Sequence, residues 1–161
     1  MRALYFLPLA FLTLLAQTTP PATAPATQPA ERVLNKEITT ASGLHYHFTH
    51  LGDGPIPQTG DTLEVHGIGT FPDGKEFWNT RTEGKPWVYR YNVDRVIKGC
   101  TEIMQLMRQG DRVIVTMKPE LAYGARSRPE IPANSTLVFD YEVMSVKPKA
   151  AATGPAMAPA R

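Results

Sequence analysis

One segment of the chain has apolar residues at helical spacing, and it limits the possible folds more than any other feature. The residues concerned recur three or four positions apart: Val96, Cys100, Ile103, Met104 and Met107. Residues at this spacing share one face of an α-helix, and Gly110 follows where a helix commonly ends. A lone amphipathic helix must bury its apolar face against another element. Because strand-like patterns surround it, we predict an α+β protein with an antiparallel sheet folded over one short helix.

Strand-like alternation fills most of the remaining middle of the chain. Apolar residues take every second position in three groups: Leu44, Tyr46 and Phe48; Leu63 and Val65; Leu137, Phe139, Tyr141 and Val143. Pro72-Asp73-Gly74 predicts a turn between segments 68–71 and 75–78. The segment 112–117 is a further β-rich run.

The two ends of the chain differ in character from the middle. Arg2 precedes an apolar run over residues 3–16, which is shorter than the roughly 20 residues of a membrane-spanning helix. We therefore predict a cleaved signal peptide at 1–16, with Ala24 as the latest end, and an uncleaved anchor as the alternative. A Pro/Ala/Thr-rich linker is predicted at 17–36, a folded domain at 37–147 and a disordered Ala/Pro-rich tail at 148–161.

The net charge bears on possible nucleic-acid partners, and the cysteine content bears on possible disulfides. The formal net charge of +2 gives no indication of a nucleic-acid partner. Cys100 is the single cysteine, so an exported form of this chain has no intramolecular disulfide and depends on its core for stability.

Three groups of residues, in order and at matching spacing, carry a family resemblance. The first is Val-His-Gly-Ile-Gly at 65–69, followed by Pro-Asp-Gly-Lys-Glu-Phe at 72–77. The second is Val-Ile-Lys-Gly at 96–99, where the predicted helix begins. The third combines Pro-Glu-Leu-Ala-Tyr-Gly at 119–124, Ile-Pro at 131–132 and Thr-Leu-Val-Phe-Asp at 136–140. Together, over residues 43–146, they resemble the FKBP-type peptidyl-prolyl cis-trans isomerases.

The resemblance implies a half-barrel sheet wrapped around one short α-helix, with an apolar pocket between them. It implies catalytic roles for Phe77, Tyr123 and Phe139. It also implies substrate contacts for six further positions: Trp78, Trp87, Val96, Ile97, Cys100 and Ile131. The implied partners are proline-containing peptides and unfolded or folding exported proteins, with no cofactor and no metal.

Rotation about an Xaa-Pro bond explains why such a pocket needs no nucleophile or general base. The planar amide, held by resonance with a barrier of about 18–20 kcal/mol, is more polar than the twisted transition state. A water-poor aromatic pocket therefore disfavours the planar form relative to the twisted one. Phe77, Trp87 and Phe139 would form the walls. The Ile97 N–H and the Tyr123 hydroxyl would bind substrate carbonyls.

Several positions depart from the family pattern. The family usually has tyrosine where Gly67 stands, aspartate where Trp78 stands and often tryptophan where Cys100 stands. We expect the Trp78 ring to fill the space left at Gly67, and Cys100 to leave a deeper pocket or one that Met104 fills. The loop before Ile131 is about one residue short. Glu130 occupies a position that tends to be apolar.

Two other functions are consistent with the sequence. The first is a weakly catalytic or non-catalytic module that holds proline-containing segments through the same pocket. The second is metal handling by His45, His47 and His50, for which a solvated strand face is the simpler interpretation. We expect a monomer that is exported to the periplasm or secreted, without a membrane anchor after cleavage.

Overall fold

The alternating segments form strands and the helical segment forms a helix, as predicted. A computed structural model describes residues 32–149, and within them lie seven strands and one α-helix. The strands are β1 (Ile38–Thr39), β2 (His45–His50), β3 (Thr62–Thr70), β4 (Glu76–Asn79), β5 (Trp87–Arg90), β6 (Arg112–Met117) and β7 (Leu137–Lys147). Helix α1 (Lys98–Met104) lies between β5 and β6, and a short 3-10 helix (Pro119–Leu121) follows β6.

All strand pairs in the sheet are antiparallel, and β7 lies at its centre. The order is β1-β2-β6-β7-β3-β4. One edge of β3 pairs with β7 along its length. The other edge pairs with β5 over residues 62–65 and with β4 over residues 68–70. Strands β4 and β5 therefore share one edge of β3, and their side chains can build a common wall.

The core lies between the inner face of the sheet and α1. On β6 every second side chain is buried, and on β7 the predicted alternation holds from Leu137 to Val143. The helix buries Gly99, Cys100, Ile103 and Met104 against this face. A Cβ atom at Gly99 would lie 2.6 Å from the Met117 Sδ atom, so the start of α1 lies very close to β6. These observations confirm the α+β architecture with one short helix.

The helix is shorter than the apolar periodicity suggests. Val96 and Ile97 precede it, and Ile97 has an extended backbone (φ −65°, ψ 150°). At the other end α1 stops at Met104, although Met107 is still fully buried in the following turn. Gly110, with φ +91°, ends that turn and packs closely against Gly52. Residues 105–110 thus return the chain to β6 without continuing the helix.

The segment 32–36, assigned to the linker by its sequence, lies on the folded domain. Arg32 binds the carboxylate of Asp111 through Nη2 at 2.5 Å and Nε at 3.2 Å. Asp111 is fully buried and also accepts hydrogen bonds from the backbone N–H groups of Gly52 and Arg108. Leu34 forms a parallel bridge with Phe48. The sequence around Arg32 has no pattern that would predict its pairing with Asp111, which is 79 residues away.

The predicted signal peptide at 1–16, the linker residues 17–31 and tail residues 150–161 lie outside the described residues. Within residues 32–149, no helix is long and apolar enough to cross a membrane.

The Arg32–Asp111 pair should contribute measurably to stability. Removing Arg32 leaves a buried carboxylate with fewer donors, which is costly even though the Arg32 side chain is 23% exposed. We expect Arg32→Ala to lower the free energy of unfolding by about 1–3 kcal/mol in urea denaturation of the full chain. The control Arg90→Ala breaks an exposed pair with Asp94 and should cost less than about 1 kcal/mol. Equal losses for the two variants would contradict this role for the buried pair.

Candidate functional site

A cavity of about 550 Å³ opens between the sheet and the start of α1. This volume falls in the range of small-molecule sites, roughly 300–1,000 Å³. Strands β4, β5 and β7, the turn before α1, α1 itself and the β6–β7 connection all contribute to it. The structure brings all nine predicted site residues together in its lining: Phe77, Trp78, Trp87, Val96, Ile97, Cys100, Tyr123, Ile131 and Phe139.

Aromatic rings form the walls of this cavity and support one another by edge-to-face contact. The Phe77 and Phe139 rings meet at 5.7 Å between centroids and 89° between planes. Trp78 makes similar contacts with Phe139 at 6.3 Å and with Trp87 at 6.1 Å. Such arrangements place the positive edge of one ring on the negative face of the next. The rings therefore hold fixed orientations around the cavity.

The Trp78 ring occupies the space beside Gly67, as the sequence led us to expect. A Cβ atom at Gly67 would lie 2.7 Å from the Trp78 Cη2 atom and 3.1 Å from the Tyr141 Cδ1 atom. Thr80, nearly fully buried, fixes the backbone there by accepting a hydrogen bond from the Gly67 N–H at 2.9 Å. The backbone N–H of Thr80 also donates to the Gly67 carbonyl at 3.0 Å. The tryptophan thus replaces a polar residue by filling volume at the edge of the cavity.

The Ile97 N–H and the Tyr123 hydroxyl lie in the cavity lining and have no hydrogen-bond partner among residues 32–149. The Ile97 carbonyl accepts bonds from Cys100 and Thr101, but the Ile97 N–H reaches no acceptor in this part of the chain. The half-buried Tyr123 likewise has no hydroxyl partner there. Its ring is covered by the guanidinium of Arg128 at 5.0 Å, a cation–π contact that holds it in place. A ligand carbonyl could accept from either donor.

Cys100 lies at the base of the cavity, and its thiol is unreactive. Burial raises the pKa of its thiol to about 12, and a hydrogen bond with the Tyr141 hydroxyl only partly opposes this. Burial likewise raises the pKa of Tyr141 well above its ordinary value. Both groups are therefore neutral at physiological pH, which suits an apolar cavity. Met104 is fully buried and is not among the residues that line the cavity.

Five lining residues were not in the predicted set: Arg95, Arg128, Pro129, Glu130 and Tyr141. The Tyr141 ring stacks on the Phe139 ring, with 5.1 Å between centroids and 7° between planes. Tyr141 lies two residues after Phe139 on β7 and so faces the same side of the sheet, a spacing that could have identified it. The other four come from loops, where no periodicity indicates which side chains face a cavity.

The histidines of β2 lie on the outer face of the sheet. His45 Nδ1 hydrogen-bonds with Thr39 Oγ1 at 2.8 Å, and His47 Nδ1 lies 2.9 Å from Glu37 Oε1. Within residues 32–149, no group of three or more His, Cys, Asp or Glu side chains could hold a metal ion. The metal-handling alternative gains no support from this arrangement.

Comparison with known proteins identifies the family. The family model of the FKBP-type peptidyl-prolyl cis-trans isomerases matches residues 54–144, more than half of the chain. This chain belongs to that family. All nine predicted cavity residues lie within the matched range.

Relatives and solved structures agree with this assignment. The chain is 44% identical over 110 residues to the FKBP-type isomerase FkpA of Escherichia coli K12, covering 68% of this chain and 40% of that protein. It is 41% identical over 122 residues to a probable FKBP-type isomerase of Haemophilus influenzae, covering 74% and 50%. The chain thus spans half or less of these relatives.

Two crystal structures share the fold. That of Escherichia coli FkpA has a TM-score of 0.66 and 42% identity, covering 70% of this chain and 52% of that one. That of AtFKBP13 has a TM-score of 0.66 and 30% identity, covering 70% and 99%.

The packing of Trp78 on Gly67 can be tested by a double-mutant cycle. Gly67→Ala forces its methyl group into the indole and should cost about 1–3 kcal/mol in urea denaturation. Trp78→Phe shortens the ring, so the same Gly67→Ala change in that background should cost less than about 1 kcal/mol. Equal costs in the two backgrounds would show that the ring and the glycine are not coupled.

The raised pKa of Cys100 predicts slow labelling and a specific loss of stability at alkaline pH. With a pKa of about 12, roughly one thiol in ten thousand is ionised at pH 8. Ellman's reagent should therefore react slowly with the native protein and rapidly in urea. Rapid native labelling would contradict the buried position.

The sign of the pH effect follows from which state binds the proton. Between the ordinary thiol pKa of 9.0 and the folded value, the unfolded chain loses the Cys100 proton and the folded protein keeps it. Stability from this group is thus full below pH 9 and falls as pH rises. The free energy of unfolding should drop by about 1.4 kcal/mol more between pH 8 and 10 in the parent than in Cys100→Ala.

Proposed function

We propose that this chain is a peptidyl-prolyl cis-trans isomerase that acts on proline-containing peptides and on unfolded or folding exported proteins. The observation that carries the proposal is an aromatic-walled cavity with two unpaired donors at its lining, the Ile97 N–H and the Tyr123 hydroxyl. Family membership and FkpA-like relatives support the same activity.

The cavity has the properties that the reaction requires. Rotation about the Xaa-Pro bond makes and breaks no bond to another atom, so only relative stabilisation of the twisted amide is needed. The rings of Phe77, Trp87 and Phe139 would enclose the proline ring and exclude water from the amide. In such surroundings both forms of the amide lose hydration. This loss destabilises the planar amide more, because the twisted amide is the less polar of the two.

The two donors would orient the substrate. The Ile97 N–H lies in rigid backbone because the Ile97 carbonyl is already bonded to the first turn of α1. The Tyr123 hydroxyl is held by the Pro119–Gly124 turn, in which the Gly124 N–H donates to the Pro119 carbonyl at 2.8 Å. Substrate carbonyls on either side of the proline would accept from these two groups, leaving the Xaa-Pro bond free to rotate in the cavity.

The proposed site of action is outside the cytoplasm, in the periplasm or the secretory medium. Arg2 and the apolar run 3–16 support export by a cleaved signal peptide. Slow proline steps limit the folding of many proteins and take tens of seconds without a catalyst. An isomerase in that compartment would act on chains that fold after translocation, and we propose that it does so as a monomer.

A protease-free isomerisation assay on an Ala-Xaa-Pro-Phe peptide tests this function. Tyr123→Phe removes one hydrogen bond and should lower kcat/KM about 3- to 10-fold. Phe139→Ala opens one wall and should lower it by about tenfold or more, with circular dichroism to verify folding. Tyr91→Phe is the matched control, because Tyr91 is buried outside the cavity lining, and it should retain the parent rate.

The same assay separates catalysis from simple binding. A parent protein that binds the peptide without accelerating isomerisation would support the non-catalytic holding module instead. Parent-like rates in both Tyr123→Phe and Phe139→Ala would contradict the assignment of these residues.

A further inference from the structure

A second groove of about 810 Å³ adjoins the aromatic cavity. The two share Val96, Ile97 and Tyr123 in their linings, so the unpaired Ile97 N–H and the Tyr123 ring lie at the border between them. A polypeptide with its proline in the cavity would therefore pass its flanking residues along this groove.

The groove is strongly basic. Four cationic side chains line it: Arg95, Lys98, Arg126 and Arg128. Glu120 is the one carboxylate in the same lining. All five of these residues are exposed, so their charges face solvent or a bound chain. A cleft lined by charge of one sign concentrates the potential and attracts groups of the opposite sign.

The groove cations have no carboxylate partner, unlike four of the five arginines elsewhere in residues 32–149; Arg108 is the exception. Arg32, Arg81, Arg90 and Arg112 each pair with an Asp or Glu side chain. Within residues 32–149, no carboxylate oxygen lies within 4.0 Å of the cationic groups of Arg95, Lys98, Arg126 or Arg128. Cations that lack a carboxylate partner and lie together in one groove beside the cavity are available for an external anion.

We propose that this groove selects substrates that carry Asp or Glu close to the proline. The inference rests on the proposed isomerase function and adds a substrate class to it. An extended peptide advances about 3.3–3.6 Å per residue, so acidic side chains within about four residues of the proline reach the groove. Arg95 and Arg128 line both the cavity and the groove and face the nearest flanking positions, while Lys98 and Arg126 face those farther away.

Peptides that differ only in flanking charge test the proposal. Three peptides would share one Ala-Leu-Pro-Phe core and carry Glu-Glu, Gln-Gln or Lys-Lys pairs, placed in turn before and after the core. We expect kcat/KM at low salt to be roughly tenfold higher for the Glu peptide than for the Gln peptide on one of the two sides. The preference should shrink at 0.5 M NaCl, where screening acts over a few ångströms.

Charge reversal in the groove supplies a readout that a purely structural role would not give. The double variant Lys98→Glu/Arg126→Glu should prefer the Lys peptide over the Glu peptide. The control Lys85→Gln removes an exposed charge outside the groove lining and should keep the parent preference.

The outcomes distinguish this inference from the function on which it rests. Isomerisation of all three peptides at equal rates would overturn the acidic preference and leave the isomerase function in place. Absence of both binding and isomerisation for every peptide would overturn both. Binding to phosphatidylglycerol vesicles without discrimination among the peptides would overturn the proposal in favour of an anionic membrane surface.

Discussion

The aromatic cavity depends on two positions of β3 that carry no side chain. Gly67 and Gly69 both face the inside of the sheet, and each leaves a gap that aromatic rings enter. Trp78 packs over Gly67, while Phe77 and Phe139 close around Gly69, where an added Cβ atom would lie 2.7 Å from the Phe77 ring. Because β3 is paired on both edges, its backbone cannot move away to admit a larger residue. The walls of the cavity are therefore positioned by backbone hydrogen bonds as much as by contacts between rings.

Much of this arrangement could be predicted from the sequence, because it is encoded in local patterns. The alternation on β2, β3 and β7 identified the core face, and helical spacing identified α1. The family resemblance named nine residues that the structure places in the cavity lining. The short strand β5 was missed because four residues, Trp87–Arg90, give too little alternation to detect. Its identity as a strand depends on pairing with Thr62–Val65 of β3, which is a tertiary contact.

Features built from isolated charges could not be predicted in the same way. The Arg32–Asp111 pair joins positions 79 residues apart, and neither residue belongs to a periodic pattern. The basic groove gathers Arg95 and Lys98 from one side of the fold and Arg126 and Arg128 from a loop more than 20 residues later. A net charge of +2 conceals such local concentration, because paired ions elsewhere on the domain cancel in the sum.

The central place of β7 also bears on the order in which the fold can assemble. Strand β7 is the last strand of the sheet in sequence, yet it joins β6 to β3 and so links the two halves. A nascent chain that emerges from its N-terminus first cannot close the sheet until the final strand is released. Before that moment β3 lacks its long partner and the cavity has no Phe139 wall. Such a topology delays cooperative closure of the sheet until β7 has been synthesised.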